Sequence, residues 1–292
     1  MKKLLLILLC LPMIGFGQER YYIDEVTSAN KKPLLYLKKD MSLVNGVVFE
    51  AHENGQLKYE RNYKDGKRDG LYREWHENGQ LSSEGNYKDF GVTEMYNPSS
   101  GIIYYHYGDG IRFGLHKNWY ENGQLREEGN FINDNEDGLH KNWHENGQLK
   151  SEGNFKDGEK VGLYREWHEN GQLKTEGNYK DGKRNGSCRH WYKNGQLKEQ
   201  GFYKNGKMTG HWMSYHENGQ ISEEGNYKDG KLNGQWTGWH ENGHLQSETN
   251  WEDDNRNGLW KIYFENGQLK EESNFKDDKL IGETKYILKY ID

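Results

Sequence analysis

From Trp167 to Lys183 the chain carries two turn signals, Asn170-Gly171 and Asp181-Gly182, with alternating residues between them. Period-two alternation predicts strands. Asn-Gly inside such a run is the strongest short hairpin signal, because a type I′ turn needs positive φ at both central residues. Asp-Gly offers the same for the return turn. Nearly the same words recur with the turn glycine at Gly55, Gly79, Gly123, Gly147, Gly171, Gly195, Gly219, Gly243 and Gly267. The spacing is 24, except for a gap of 44 between Gly79 and Gly123 that divides into two 22-residue repeats around Gly101.

This pattern predicts an all-β fold: an elongated antiparallel β-hairpin repeat array of about 24-residue repeats. Residues 1–17 read as a signal peptide, 18–45 as an N-terminal degenerate capping repeat beginning near Asn30 to Leu34, 46–282 as the hairpin repeats, and 283–292 as a C-terminal capping strand. Atypical ends are expected because the outermost faces lack neighbours. At ~4.8 Å per strand the ribbon would be on the order of 100 Å long.

A two-residue Asn-Gly loop sets the register. It places Arg165 opposite Glu176 and Trp167 opposite Lys174. By the same arithmetic Arg73 meets Glu84, Lys117 meets Glu128, Lys141 meets Glu152 and Lys261 meets Glu272. Trp119 then faces Arg126, Trp143 faces Lys150 and Trp191 faces Lys198. One face carries Tyr164, His168, Leu173, Gly177 and Tyr179, with Trp212, Trp236 and Trp260 at the Tyr164 position of later repeats; it is the expected packed side. Gly177 opposite Tyr164 leaves room for the ring to cover bare backbone. The other face carries Leu163, Arg165, Trp167, Lys174 and Glu176, an ion-paired surface with a stripe of Trp.

Composition sharpens this picture. Only 32% of the 292 residues are hydrophobic, yet 14% are aromatic, which fits a thin, turn-rich β-structure better than a disordered chain. Net charge is -6, or -8 without Lys2 and Lys3. No basic block stands out, so nucleic acid is not an expected partner. Met1 to Lys3 is a short basic start, Leu4 to Ile14 an apolar run, and Gly15-Phe16-Gly17 a small-residue site before Gln18, the order of a secretory signal peptide. The chain is therefore expected to be exported. Cys10 lies in that leader, which leaves Cys188 without an intramolecular disulfide partner, as a space-filler at a position held elsewhere by Tyr, His or Trp.

Gly258-Leu259-Trp260, Tyr263-Phe264-Glu265-Asn266-Gly267-Gln268-Leu269 and Phe275 resemble the MORN-variant repeat of the YwqK-type antitoxin-component family. The resemblance covers about Tyr36 to Ile291. It implies strand-turn-strand repeats and a toxin partner to neutralise. The wider MORN family implies scaffolds that bind proteins or membranes.

Candidate chemistry is thin. His76, His144, His168, His216 and His240 recur one step before Glu-Asn-Gly, but copies two strands apart, roughly 9–10 Å, cannot share a metal whose bonds are ~2.1 Å. Glu84, Glu128, Glu152, Glu176, Glu224, Glu248 and Glu272 form a column in identical surroundings, without the asymmetry that acid–base catalysis needs. Asp253 to Gly258 and Asn133 to Gly138 start like calcium loops, but the twelfth positions are Phe264 and His144 rather than Glu, so they read as turns. No catalytic, metal or cofactor residues are expected. The candidate binding surface is Trp119, Trp143, Trp167, Trp191 and Trp239 with Arg126, Lys150, Lys174 and Lys198. The expected function is an exported, non-enzymatic repeat protein that offers an extended surface to a protein. The alternatives are a toxin-neutralising component and a glycan- or membrane-binding module.

Overall fold

The computed structural model describes residues 18–28, 34–89, 93–97, 102–106 and 110–286. The leader (1–17), the Gly101 turn and residues 287–292 of the expected last strand lie outside them. Two compact units divide the chain, one made of 1–148 and 155–158 and the other of 149–154 and 159–292.

In the N-terminal unit, Gly46–Ala51, Leu57–Lys64, Lys67–Trp75, Leu81–Lys88, Ile111–Trp119, Leu125–Ile132 and Asn135–Trp143 pair antiparallel, each with the next. Leu81–Lys88 pairs directly with Ile111–Trp119. Thr93–Asn97 and Ile102–His106 instead pair with each other in a separate two-stranded sheet. The 44-residue gap is thus an inserted hairpin, not two further repeats; its length imitates the period without supplying ladder strands.

Before the first hairpin, Arg20–Tyr22 pairs parallel with Gly46–Ala51, and Val26–Ser28 pairs with Leu35–Leu37 in a sheet of its own. Tyr21, Val26, Leu37, Val44, Val48 and Tyr59 form an apolar cluster here. The cluster packs this segment against the first hairpin through Val48 and Tyr59.

The C-terminal unit is itself a meander, through Glu159–Trp167, Leu173–Lys180, Lys183–Trp191, Leu197–Lys204, Lys207–Tyr215, Ile221–Lys228, Lys231–Trp239 and Leu245–Glu252. Gly258–Tyr263 and Leu269–Lys276 add another hairpin, and Lys285–Tyr286 pairs at its edge.

The two turns of each repeat differ. At the return turn, Asp181 and Gly182 both have positive φ (48° and 71°) between the partners Lys180 and Lys183, the type I′ geometry expected of Asp-Gly. The calcium-like stretches are this same turn: Asn133 and Asp134 (φ 52° and 65°), and Asp253 and Asp254 (φ 52° and 72°).

The Asn-Gly turn is not type I′. Trp167 pairs with Leu173, so His168 to Gln172 form the loop. The Gly171 amide donates to the His168 carbonyl (2.9 Å), the His168 amide donates to the Gln172 carbonyl (2.8 Å), and only Gly171 is left-handed (φ 82°). Asn170 has two other tasks. Its Oδ1 accepts from the Gln172 amide (3.1 Å), and its Nδ2 donates to the Lys193 carbonyl in the next loop (2.7 Å). A bulge between Glu166 and Trp167 absorbs the longer loop. Arg165 therefore still faces Glu176 as expected, while Trp167 faces Leu173 rather than Lys174.

Candidate binding surface

The face carrying Tyr164 is the packed one, as expected. His116, His140, Cys188, Trp212 and Trp236 occupy its ring position and are all buried. Between them come the rings of the neighbouring strands. In the N-terminal unit, Tyr87, His116, Phe131, His140 and Phe155 follow one another at 5.1 to 6.1 Å with edge-on planes. In the C-terminal unit, Tyr203, Trp212, Tyr227 and Trp236 do the same at 5.1 to 5.9 Å. Such edge-to-face pairs each add about 0.5–1.5 kcal/mol beyond the area they bury.

The rings of His116, His140, Tyr164, Trp212 and Trp236 each lie on a glycine of the strand before them. A Cβ on Gly153 would come within 2.3 Å of the Tyr164 ring, and one on Gly201 within 2.2 Å of the Trp212 ring. The Tyr164 ring therefore covers Gly153, not its other cross-strand partner, Gly177. Gly177 meets Cys188, whose Sγ would be 3.6 Å away. Cys188 fills the ring's place together with Arg184, whose Nη1 is 3.2 Å from Sγ. Burial pushes the thiol's pKa up, against the pull of the Arg184 charge.

The recurring His before Glu-Asn-Gly joins successive repeats. Nε2 of His76 meets the Trp119 carbonyl at 3.0 Å, that of His168 the Trp191 carbonyl at 3.1 Å, and that of His216 the Trp239 carbonyl at 2.8 Å. The Tyr120 hydroxyl donates in the same way to Trp143 (2.8 Å), and Tyr192 to Tyr215 (2.7 Å). In these repeats the position holds a ring whose polar tip bonds to the next repeat, while Phe264 fills it in the last one.

The tryptophans are placed at strand ends, half-buried, and Trp119, Trp167 and Trp191 do not stand opposite the cations assigned to them across the hairpin. Trp119 pairs with Leu125, Trp167 with Leu173, Trp191 with Leu197 and Trp239 with Leu245. The bulge passes over Arg126, Lys174 and Lys198, and leucine fills the place opposite each indole. Lys198 Nζ instead lies 5.6 Å from the Tyr192 ring, and Lys174 Nζ lies 4.0 Å from Glu166. Trp143 and Lys150 belong to different compact units. Lys150, like the other three cations, is exposed.

The opposite face carries three of the expected ion pairs, while Glu272, which faces Lys261 in the register, meets Lys285 Nζ instead at 3.3 Å. Arg73 Nε is 2.6 Å from Glu84, Lys117 Nζ 3.6 Å from Glu128 and Arg165 Nε 2.8 Å from Glu176. Further on, the column changes: Gln200 stands where the Glu recurs, and Met213 stands where the cation recurs. Gln200 Nε2 is 3.8 Å from Met213 Sδ. Beside them Phe202 is 54% exposed, at a position that is Asn in the other repeats, from Asn62 to Asn274. Ser187, Arg189, Gln200, Phe202, His211 and Met213 line a shallow depression of about 210 Å³. The departures were visible in the sequence at Phe202 and Met213, but only the observed register places them side by side on the open face.

Sequential hairpins with one aromatic packed face and one ion-paired open face define a β-hairpin repeat protein with a binding surface. The chain belongs to the MORN repeat variant family, which it matches at residues 44–65, 68–89, 114–133, 136–157, 160–181, 184–205, 208–229, 232–253 and 256–277. The matched segments pass over the inserted hairpin. No curated protein matches the chain. Among solved structures it is similar to part of one titled "Crystal Structure of TcdB2-TccC3-Cdc42" (10% identity, TM-score 0.20, covering 83% of this chain and 14% of that one). A second is titled "Structure of Photorhabdus luminescens Tc holotoxin pore, Mutation TccC3-D651A" (12%, 0.20, 81% and 14%). This chain spans only 14% of the length of either, and at these TM-scores the likeness carries no argument about it.

Proposed function

We propose that the chain is an exported, non-enzymatic binding protein whose open face holds a protein partner at the neutral break around Phe202 and Met213. The observation that carries this reading is Phe202, a large ring 54% exposed where the other repeats place Asn. Aromatic residues, Met and Arg are the side chains enriched at protein interfaces, and Phe202, Met213 and Arg189 supply all three around one depression. Burying a Phe side chain stabilises an interface by roughly 1.5–3 kcal/mol. The non-enzymatic part rests on the sameness of the Glu and His columns. Export rests on the basic, apolar and small-residue order of residues 1–17.

The test returns the break to the pattern of the other repeats. Wild-type chain and a Phe202→Asn, Met213→Arg variant are each immobilised and exposed to envelope and culture-medium fractions of the producing cells. The wild type should retain a stoichiometric protein that the variant loses. Equal retention by both, or none by either, overturns the reading. Mass spectrometry of the mature chain should find Gln18 at its start. A toxin as the partner is what the family resemblance implies. Deleting this gene alone should then harm the cell, and deleting it with the toxin gene should not.

A further inference from the structure

One cluster on the packed side of the N-terminal unit joins a ring of the aromatic ladder to two carboxylates. His140 is 2% exposed and takes the ring position of its repeat. Its Nε2 meets the Asn130 carbonyl at 2.7 Å. A carbonyl only accepts, so Nε2 carries the hydrogen and Nδ1 of the neutral ring is left with its lone pair. That Nδ1 is buried and has no hydrogen-bond partner. The nearest charged group is the carboxylate of Glu136, with Oε1 3.5 Å away. A carboxylate oxygen of Glu127 completes the group, and the three donor atoms lie within 4.8 Å of one another.

His116, the ring of the preceding repeat, is the internal comparison. Its Nε2 likewise meets a carbonyl, that of Asn86, at 2.9 Å. Its Nδ1 lies 3.3 Å from the Tyr72 hydroxyl. At His140 the same lone pair faces two carboxylates, which offer no donor when ionised.

We propose that Nδ1 of His140 and the carboxylates of Glu127 and Glu136 bind a first-row divalent transition-metal cation, with zinc(II) the best match. The imidazole donor selects against calcium and magnesium, which take oxygen ligands in larger number. Around tetrahedral zinc, ligand atoms sit about 3.4 Å apart for bonds of ~2.1 Å. The His140–Glu136 separation is already close to that. Both glutamates are half-buried with rotatable stems, so closing the rest moves side chains and not strands. The Nε2–carbonyl contact fixes the tautomer and ring plane, as ligating histidines are usually fixed. Asn118 Nδ2 donates to Glu127 Oε2 at 3.2 Å and orients that carboxylate. Glu127 and His140 come from neighbouring strands, so the cation would clip one strand to the next.

The probe is zinc chloride added to full-length chain stripped with a chelator, followed by titration calorimetry and thermal unfolding. One zinc per chain should bind and raise the melting temperature. Glu127→Gln with Glu136→Gln keeps shape and burial while removing both charges, and should lose that binding at least tenfold with the apo melting temperature retained. His140→Ala is a second variant, expected to lose zinc but also packing. Cobalt(II) in place of zinc should give visible d–d absorption in the wild type and none in the double Gln variant. No binding by the wild type, or equal binding by the wild type and the double Gln variant, overturns the proposal. The second result would assign the zinc to the surface histidines.

Discussion

Trp167 stands opposite Leu173 across its hairpin, while Arg165, two residues earlier, stands opposite Glu176. The two pairings fit together only because the bulge passes over Lys174. The glycine that closes the longer loop is then the residue with the strictest backbone demand. Gly171→Ala places a Cβ in a left-handed conformation (φ 82°) and should cost about 1–2 kcal/mol, read from the urea midpoint. Asn170→Ala leaves no strained backbone but removes two hydrogen bonds. It should cost about 1–2 kcal/mol through the loss of stitching between repeats.

Two glycines at equivalent positions should respond in opposite ways. Gly201→Ala drives a methyl to 2.2 Å from the Trp212 ring, whereas Gly177→Ala finds Cys188 Sγ at 3.6 Å, an ordinary contact. The first should lose about 1–3 kcal/mol by overpacking. The second should change stability by less than about 0.5 kcal/mol. Combining Gly201→Ala with Trp212→Cys should recover part of the loss, a coupling that a double-mutant cycle measures.

His168 joins its repeat to the next through Nε2 and the Trp191 carbonyl. His168→Phe keeps the ring and loses the contact with the Trp191 carbonyl, and should cost about 1 kcal/mol. His168→Tyr should cost less, because Tyr120 and Tyr192 make this bond in their own repeats. Urea midpoints of the three chains rank them.

Burial holds His116 below its usual pKa, against the Asn86 carbonyl contact. The unfolded chain then binds more protons than the folded one in the acid range. This contribution to stability is complete above the unfolded value, about 6.5, and is lost as the pH falls through the lower folded value. Unfolding midpoints should therefore fall between about pH 7 and pH 5. His116→Tyr, which places there the residue found at Tyr72 and Tyr164, should flatten that slope.

The period, the strands and the return turn were legible in the sequence because Asp181-Gly182 can make one tight turn and alternation leaves strands two faces. The Asn-Gly turn misled because the same dipeptide serves a different purpose, with Asn170 bonding sideways to the next repeat. That error carried into the tryptophan–cation pairs, since the bulge changes the partner of the one residue between itself and the loop and leaves Arg165 opposite Glu176. The insertion misled by length alone. Phe202 was readable as a departure from Asn, but its exposure was not, because exposure depends on which neighbours share its face. The Glu127, Glu136 and His140 group needs a register across two strands with an irregularity between Gly129 and Phe131, which spacing in the sequence does not show.

The proposed partner sits on the open face at Phe202. Replacing Phe202 by a photo-cross-linking phenylalanine analogue, and Asn226 or Asn274 likewise in separate chains, tests it in the producing cells. One dominant cross-linked protein is expected from position 202 and little from position 274, with the hairpin fold unchanged by circular dichroism. Equal cross-linking at all three positions, or none at 202, would contradict it.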